Sequence, residues 1–300
     1  MTELLVREIA TGTEAAAAPV PRRGGRARRL GRFLLHRPGL AVAVLIVLTV
    51  LVAAFAPHLL APGDPSAGVP AQKLRPPGPG HWFGTDYLGR DIWTRVVHGA
   101  ALSLQATVVA VAVALVAGGL IGLLAGFVRG WVDEALMRIV DVLMAIPAIL
   151  LSLALITALG YGTLNVAIAV GVASVANFSR VMRSETLRIR QSVYVEAARA
   201  VGTRWYVTLR RHVLPNAAGP VAVLAVLEFG LAILAISSLS FLGFGAPPPA
   251  PEWGSLIAEG RNYLATSWWL CAMPGLTIAA TVLSVNRISR ALDGEWAAAR

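Results

Sequence analysis

Six stretches of the chain are long and apolar enough to cross a lipid bilayer as helices, and this feature constrains the fold more than any other. A helix needs about 20 mostly apolar residues to span about 30 Å of hydrocarbon. Charged residues fill only 14% of the 300 positions, against about 25% in soluble domains, so the bilayer is the expected solvent. The sequence therefore predicts an all-α integral membrane protein with six transmembrane helices, at residues 38–61, 102–127, 139–159, 164–181, 221–242 and 268–288.

The segments around these spans are polar or rich in proline. Residues 1–37 form a basic tail that cannot bury a core, and we expect this tail to be disordered in the cytosol. The Pro-rich residues 62–99 are expected to form an external loop. A core domain is predicted over 100–293, with five of the spans and a polar loop at 182–218, followed by a cytosolic tail at 294–300. A cleaved signal peptide is the alternative for the first span, but the apolar run exceeds the roughly 7 to 15 residues of such signals.

The distribution of basic residues predicts which ends of the spans face the cytosol. If both termini lie inside, only five of the 26 Lys and Arg residues fall in external segments: Lys73, Arg75, Arg90, Arg95 and Arg261. Basic residues concentrate on the cytoplasmic side of membrane proteins. We therefore expect both termini and the 182–218 loop in the cytosol. The same distribution accounts for the net charge of +10 without a nucleic-acid partner.

The patterns of common enzymes and metal sites are missing from the sequence. A phosphate-binding loop needs a lysine after a glycine-rich turn, but the one lysine, Lys73, has no glycine before it. The five histidines are scattered without metal-site spacing, and Cys271 is the single cysteine. We therefore predict no catalytic residues, no metal site and no cofactor on this chain.

The polar stretch from Tyr194 to Pro215 has the pattern of a helix, a turn and a second helix. Alanines favour the first helix, Gly202 suits the left-handed position that ends it, and Thr203 is a candidate cap for the second. Pro215 is expected to stop that second helix. Two functions remain open on periodicity alone: a surface that receives motion from a partner protein, or an amphipathic helix that lies on the anionic leaflet.

This stretch also carries the pattern E-A-A-x-x-x-G followed, after nine residues, by x-x-L-P. The matching residues are Glu196, Ala197, Ala198, Gly202, Leu214 and Pro215. The stretch resembles the coupling loop of permease subunits of bacterial ATP-binding-cassette (ABC) importers. His212 stands where that pattern usually has an aliphatic residue, and H-x-L-P-N is similar to the variant in dipeptide, oligopeptide and nickel permeases.

Two further motifs resemble the C-type permease of the same subfamily. One precedes the second span and contains Gly84, Thr85, Asp86, Gly89, Arg90 and Asp91. The other follows the fifth span, over residues 240–245 and 252–254. A simple turn-rich loop, with Gly84 and Gly89 serving backbone geometry alone, is the alternative for the first motif. Ala101 and Ser289–Arg290 depart from the family pattern.

The resemblance implies a type I ABC importer permease fold and a function as half of a translocation pathway for dipeptides or oligopeptides. It implies as partners a homologous B-type permease, two ATPase subunits that bind ATP and Mg, an extracytoplasmic peptide-binding protein and membrane lipid. The implied location is the bacterial cell membrane. Import of nickel or another solute, a proton-coupled secondary transporter and a scaffold without transport activity are the alternatives.

Four features inside the spans carry further expectations. Glu228 lies within the fifth span, where it either lines the substrate path or forms a protonated or hydrogen-bonded helix contact. Pro147 is expected to kink the third span. Asp141 is expected to pair with Arg138. Several glycines in the second span offer a small-residue face for close helix packing: Gly118, Gly119, Gly122 and Gly126.

Overall fold

The computed structural model describes residues 38–298, apart from the side chains of Arg199 and of residues 292–298. The predicted tail at 1–37 therefore lies outside the described residues. Val42–Arg300 forms one compact unit, and Pro38–Ala41 is the described part of the other. The helices of the described chain are α1 (Pro38–Phe55), α2 (Ile92–Val128), α3 (Trp131–Ala145), α4 (Ala148–Leu159), α5 (Thr163–Arg190), α6 (Val193–Ala200), α7 (Trp205–Phe241), α8 (Trp253–Gly260) and α9 (Trp269–Ala298).

Five helices of the described chain are each long and apolar enough to cross a membrane: α1, α2, α5, α7 and the Trp269–Ala291 part of α9. The third predicted span, at 139–159, is not one helix. Helices α3 and α4 meet there at an angle of 95°. Ile146 is extended because the ring of Pro147 disfavours helical geometry in the residue before it. The expected kink is therefore a complete break, and the pair forms a broken span or a re-entrant loop.

The ends of the helices differ from the predicted boundaries. Helix α2 begins at Ile92, inside the predicted loop, and α9 continues through most of the predicted C-terminal tail. Helices α5 and α7 both extend into the predicted 182–218 loop, so that only residues 191–204, including α6, separate them. Hydropathy locates the apolar part of a helix, whereas these ends carry charged residues. Some of these residues form ion pairs, as Arg95 does with Glu259 and Arg183 with Asp133.

Helix α5 is the centre of the bundle and packs against α2, α4 and α7. The glycines of α2 permit this packing. A Cβ atom on Gly118 would lie 2.5 Å from the carbonyl oxygen of Val175, and one on Gly122 would lie 2.3 Å from that of Ser179. Both distances are shorter than real contacts allow. The predicted small-residue face of the second span is thus confirmed.

Two ion pairs hold α3 against α5. Arg183 donates to both carboxylate oxygens of Asp133, at 2.5 and 2.7 Å. Arg180 Nη2 donates to Asp141 Oδ1 at 2.7 Å. The predicted pairing of Asp141 with Arg138 is therefore wrong, because the tertiary contact with α5 supplies a closer arginine than the same face of α3 does.

The termini of the helices meet in two groups. Near the starts of α2 and α9 lie residues 62–91 and α8, which together we term the loop end. Near the end of α2 lie the segment 191–204 and the first part of α7, up to Pro215, which together we term the elbow. Because α2 and α7 run from one group to the other, the loop end and the elbow lie at opposite ends of the spans.

Candidate functional site

The loop end contains a buried network of two arginines and two carboxylates. Arg90 Nε and Arg95 Nη1 both donate to Asp86 Oδ2, at 2.6 and 3.1 Å. Both arginines also donate to Glu259 of α8, at 2.7 to 3.0 Å. Arg95 is only 1% exposed. The network has no net charge, so it fastens the loop to α2 and α8 without leaving an unpaired ion.

The electrostatics of this network follow from its geometry. Burial by itself would lower the pKa of Arg90, but the hydrogen bond and the charge of Asp86, together with Glu259, raise that pKa above its ordinary value. Asp86 Oδ1 also accepts hydrogen bonds from the backbone N–H groups of Leu88 and Arg90, at 2.8 and 2.9 Å. The charged form of Asp86 is thus stabilised by several donors.

The backbone conformation at Gly84 and Gly89 in the first external motif favours glycine. Gly84 and Gly89 have φ angles of +76° and +79°. A Cβ atom on Gly89 would lie 2.0 Å from the carbonyl oxygen of Val69. Asp91 caps α2, since its Oδ2 accepts from the backbone N–H of Thr94 at 2.8 Å. The structure thus gives this motif a folding role, and its contact with an external partner stays a prediction.

The second external motif packs the start of α8 against α2. Trp253 is buried and donates from its indole nitrogen to the carbonyl oxygen of Val96 at 2.9 Å. Glu252 caps α8 and accepts from the backbone N–H groups of Gly254 and Ser255, at 3.2 and 3.3 Å. Burial raises the pKa of the Glu252 carboxyl above its ordinary value.

The elbow has the predicted helix and turn. Helix α6 ends at a Schellman-type turn, in which Gly202 has a φ angle of +75° and Thr203 N donates to Ala198 O at 3.0 Å. Gly202 therefore occupies the predicted left-handed position. Val195 is buried and is the one residue of α6 in the hydrophobic core next to α5 and α7.

Two details of the second elbow helix differ from the prediction. Arg204, without a side-chain hydrogen bond to the helix, occupies the cap position expected for Thr203. Pro215 does not stop the helix, because α7 continues from it to Phe241. Just before Pro215, residues Leu209–Val213 form a π-helical segment, whose shifted hydrogen bonding accommodates the missing N–H of the proline.

The surface of the elbow is exposed and largely apolar. Val193 and Val201 are each 81% exposed and Trp205 is 66% exposed. Glu196 is also exposed, and no hydrogen bond to its carboxylate is seen among the described side chains. The two halves of the predicted coupling motif meet here, since the rings of Tyr194 and His212 lie 6.1 Å apart. Leu214 and Pro215 follow on the exposed face of α7.

Glu228 lies apart from both ends, within the membrane-spanning part of α7. It is 6% exposed, and Asn177 Nδ2 of α5 donates to its Oε1 at 2.9 Å. The predicted hydrogen-bonded helix contact is therefore present. Glu228 and Asn177 also line a cavity of about 170 Å³ between α4, α5 and α7, so the alternative function along a substrate path stays a prediction.

The sequence did not predict three residues as interaction partners at these sites. Arg95 and Glu259 complete the network at the loop end, and their separation of 164 positions gives no local signal. Asn177 did have a signal, because an amide within an apolar span invites a search for a partner just as Glu228 does.

Comparison with known proteins decides the family of the chain. Residues 118–296 match the family described as the binding-protein-dependent transport system inner membrane component. The chain belongs to this family. As a binding-protein-dependent transport component, it is a multi-pass membrane protein and the permease part of an ABC importer, in which the ATPase is a separate subunit.

Individual relatives of this transport component agree with the family. The dipeptide transport system permease of Alkalihalophilus pseudofirmus is 40% identical over 260 residues, which are 86% of this chain and 85% of the relative. The glutathione transport system permease of Pectobacterium atrosepticum is 38% identical over 262 residues, 87% of each chain. Among solved structures, a chain of the MetNI methionine ABC transporter superposes with a TM-score of 0.54 at 19% identity, covering 66% of this chain and 96% of that one. This superposition confirms the ABC importer permease fold.

Proposed function

We propose that this permease imports dipeptides or oligopeptides, as one of two permease subunits that together form the translocation pathway. Its companions are a homologous B-type permease, two ATPase subunits that bind ATP and Mg, and an extracytoplasmic peptide-binding protein. The peptide substrate is supported by the names of the relatives, which transport dipeptides and glutathione and which this chain matches over most of its length.

The orientation follows from the arginines. The elbow and its flanking helix ends hold many basic residues, so the elbow faces the cytosol and the loop end faces outward. Both termini then lie in the cytosol. In this orientation the loop end is the surface available to the external binding protein.

The single observation that carries the proposal is the exposed elbow. An apolar surface outside the spans is costly in water, and such a surface rimmed by polar residues is typical of a protein contact. The ATPase subunits are the proposed occupants. Closure of the ATPases on ATP would move α6, and α7 would follow because the elbow continues directly into it. A shift of α7 changes the membrane pathway between outward-open and inward-open states.

ATP-driven uptake by the reconstituted complex tests this function. The variants are Glu196→Ala and Gly202→Pro in the elbow, with Asp64→Asn in the exposed outer loop as the control. We expect both elbow variants to lose most uptake of a labelled dipeptide and the control to keep it. Undiminished uptake by both elbow variants contradicts the coupling function. Uptake of nickel in place of any peptide contradicts the substrate.

A further inference from the structure

The cavity beside Glu228 combines apolar walls with an ionisable side chain. It has a volume of about 170 Å³ and is formed by side chains of α4, α5 and α7. Most of its wall is apolar, and the polar residues of the wall are Ser152, Ser174, Asn177 and Glu228. Glu228 is therefore the one ionisable group among the lining residues.

The carboxyl of Glu228 is incompletely satisfied. Its Oε1 accepts one hydrogen bond from Asn177 Nδ2 at 2.9 Å, and no second donor to it is seen in the part of the chain that the structure describes. A carboxylate has about four acceptor positions. Burying the ionised form of this group beside apolar walls is costly unless a cation or further donors interact with it.

The residues around the cavity provide few groups that could stabilise the ionised carboxyl. No lysine, arginine or histidine lines the cavity. The Ser152 hydroxyl already donates to the carbonyl oxygen of Ala148 at 2.9 Å. The Asn177 amide donates to one oxygen of the carboxyl, and Glu228 lines the remaining space of the cavity. Such a site favours a small cation with several N–H donors and repels anions.

We propose that Glu228 and Asn177 form a binding site for the protonated α-amino group of a peptide in transit. This inference rests on the proposed peptide import and adds the part of the substrate that is recognised. Every peptide with a free amino terminus carries this ammonium group, whatever its length or side chains. A site for it would therefore accept many sequences and still orient each one in the pathway.

The size of the cavity agrees with recognition of one end of the substrate. Pockets that enclose whole small-molecule ligands measure about 300 to 1,000 Å³. The volume of about 170 Å³ is smaller, so it fits the terminal ammonium and the atoms next to it. Ile149 and Leu231, which are both exposed, lie at the edge of the cavity and leave room for the rest of the peptide to extend from it.

Calorimetric titration of the purified permease–ATPase complex, without the binding protein, tests this site. The probes are dialanine, dialanine amide and N-acetyl-dialanine. The first two carry the ammonium, and only the third lacks it. We expect the two ammonium probes to bind and N-acetyl-dialanine to bind at least about tenfold more weakly, as expected for loss of a charge-assisted hydrogen bond. Equal binding of the three probes, or no binding of any, overturns the proposal.

Variants then assign the binding to Glu228. We expect Glu228→Gln to weaken dialanine amide by about tenfold or more, and Asn177→Ala to weaken it less. Asp64→Asn, which removes an exposed carboxylate, is the matched control and should bind as the unaltered complex does. Unchanged binding by Glu228→Gln overturns the site. ATP-driven dipeptide uptake by the unaltered complex is measured separately, so that its absence rejects the proposed function and its presence without selective ammonium binding rejects this inference alone.

Discussion

The loop end and the elbow of this permease differ in which kinds of residue they bury and which they expose. At the loop end, charged residues are buried and are completed by residues of the same chain, as in the contact of Arg95 with Asp86 and Glu259. At the elbow, apolar residues such as Val193 and Val201 are exposed and have no cover within the described chain. The charged residues of the loop end are thus paired within the chain, whereas the apolar face of the elbow is the surface that we propose to contact the ATPase subunits.

The largest effect is expected from breaking the charge network of the loop end. Arg95→Met removes a buried cation that contacts two carboxylates, and removal of one member of a buried ion pair costs about 3–5 kcal/mol. We expect a loss of this size in the free energy of unfolding of the purified permease in mixed micelles. Arg188→Met is the matched control, because it breaks an exposed pair with Glu185 that is worth about 0–1 kcal/mol. Equal losses of unfolding free energy in the two variants would contradict the structural importance of the buried network at the loop end.

Two glycines with similar backbone angles sharpen the same comparison. Gly89 and Gly202 both have positive φ, but a Cβ on Gly89 meets the backbone of Val69 whereas one on Gly202 meets nothing within 4 Å. Gly89→Ala should therefore reduce the free energy of unfolding by about 2–4 kcal/mol, since steric overlap adds to the left-handed strain. Gly202→Ala should cost about 1–2 kcal/mol from that strain alone. A larger loss for Gly202→Ala would show that the elbow is packed more tightly than the loop end.

The smallest effect on stability is expected at the exposed face of α6. Val193→Ser exchanges an exposed apolar side chain and should change the free energy of unfolding by no more than about 0.5 kcal/mol. We expect the same variant to retain less of the ATPase subunit during co-purification, because it removes apolar area from the proposed contact. Val69→Ser, at an exposed residue of the loop end, is the control and should retain the ATPase fully. Full retention by both variants would show that the Val193 side chain lies outside the contact.

The spans could be predicted from the sequence because an apolar run is a local property. All five long helices coincide with predicted spans, and the break at Pro147 lies where a kink was expected. The angle of the break depends on how α4 packs against α5, and this packing cannot be predicted from a local sequence pattern. Hydropathy did not predict the charged ends of α5 and α7. At the end of α5 one charged residue, Arg183, forms an ion pair with Asp133 of α3, which is a tertiary contact.

The sites could be predicted only in part for the same reason. Asp86 and Arg90 were both identified as motif residues, but the ion pair between them was not predicted. Glu259 joins them from α8, and Asn177 joins Glu228 across 51 positions. Such contacts depend on which helices become neighbours. The helix at the elbow, by contrast, followed from its own residues: alanines to form it and Gly202 to end it.

Hydrogen–deuterium exchange of the backbone amides tests directly whether the ATPase subunits cover the elbow and leave the loop end free. The exchange is measured on the purified permease with and without its ATPase subunits. We expect rapid exchange at residues 193–204 in the free permease and strong protection of these residues in the complex. Exchange at residues 84–91 should be slow in both samples. Protection that appears at residues 84–91 and spares residues 193–204 would contradict the proposed contact.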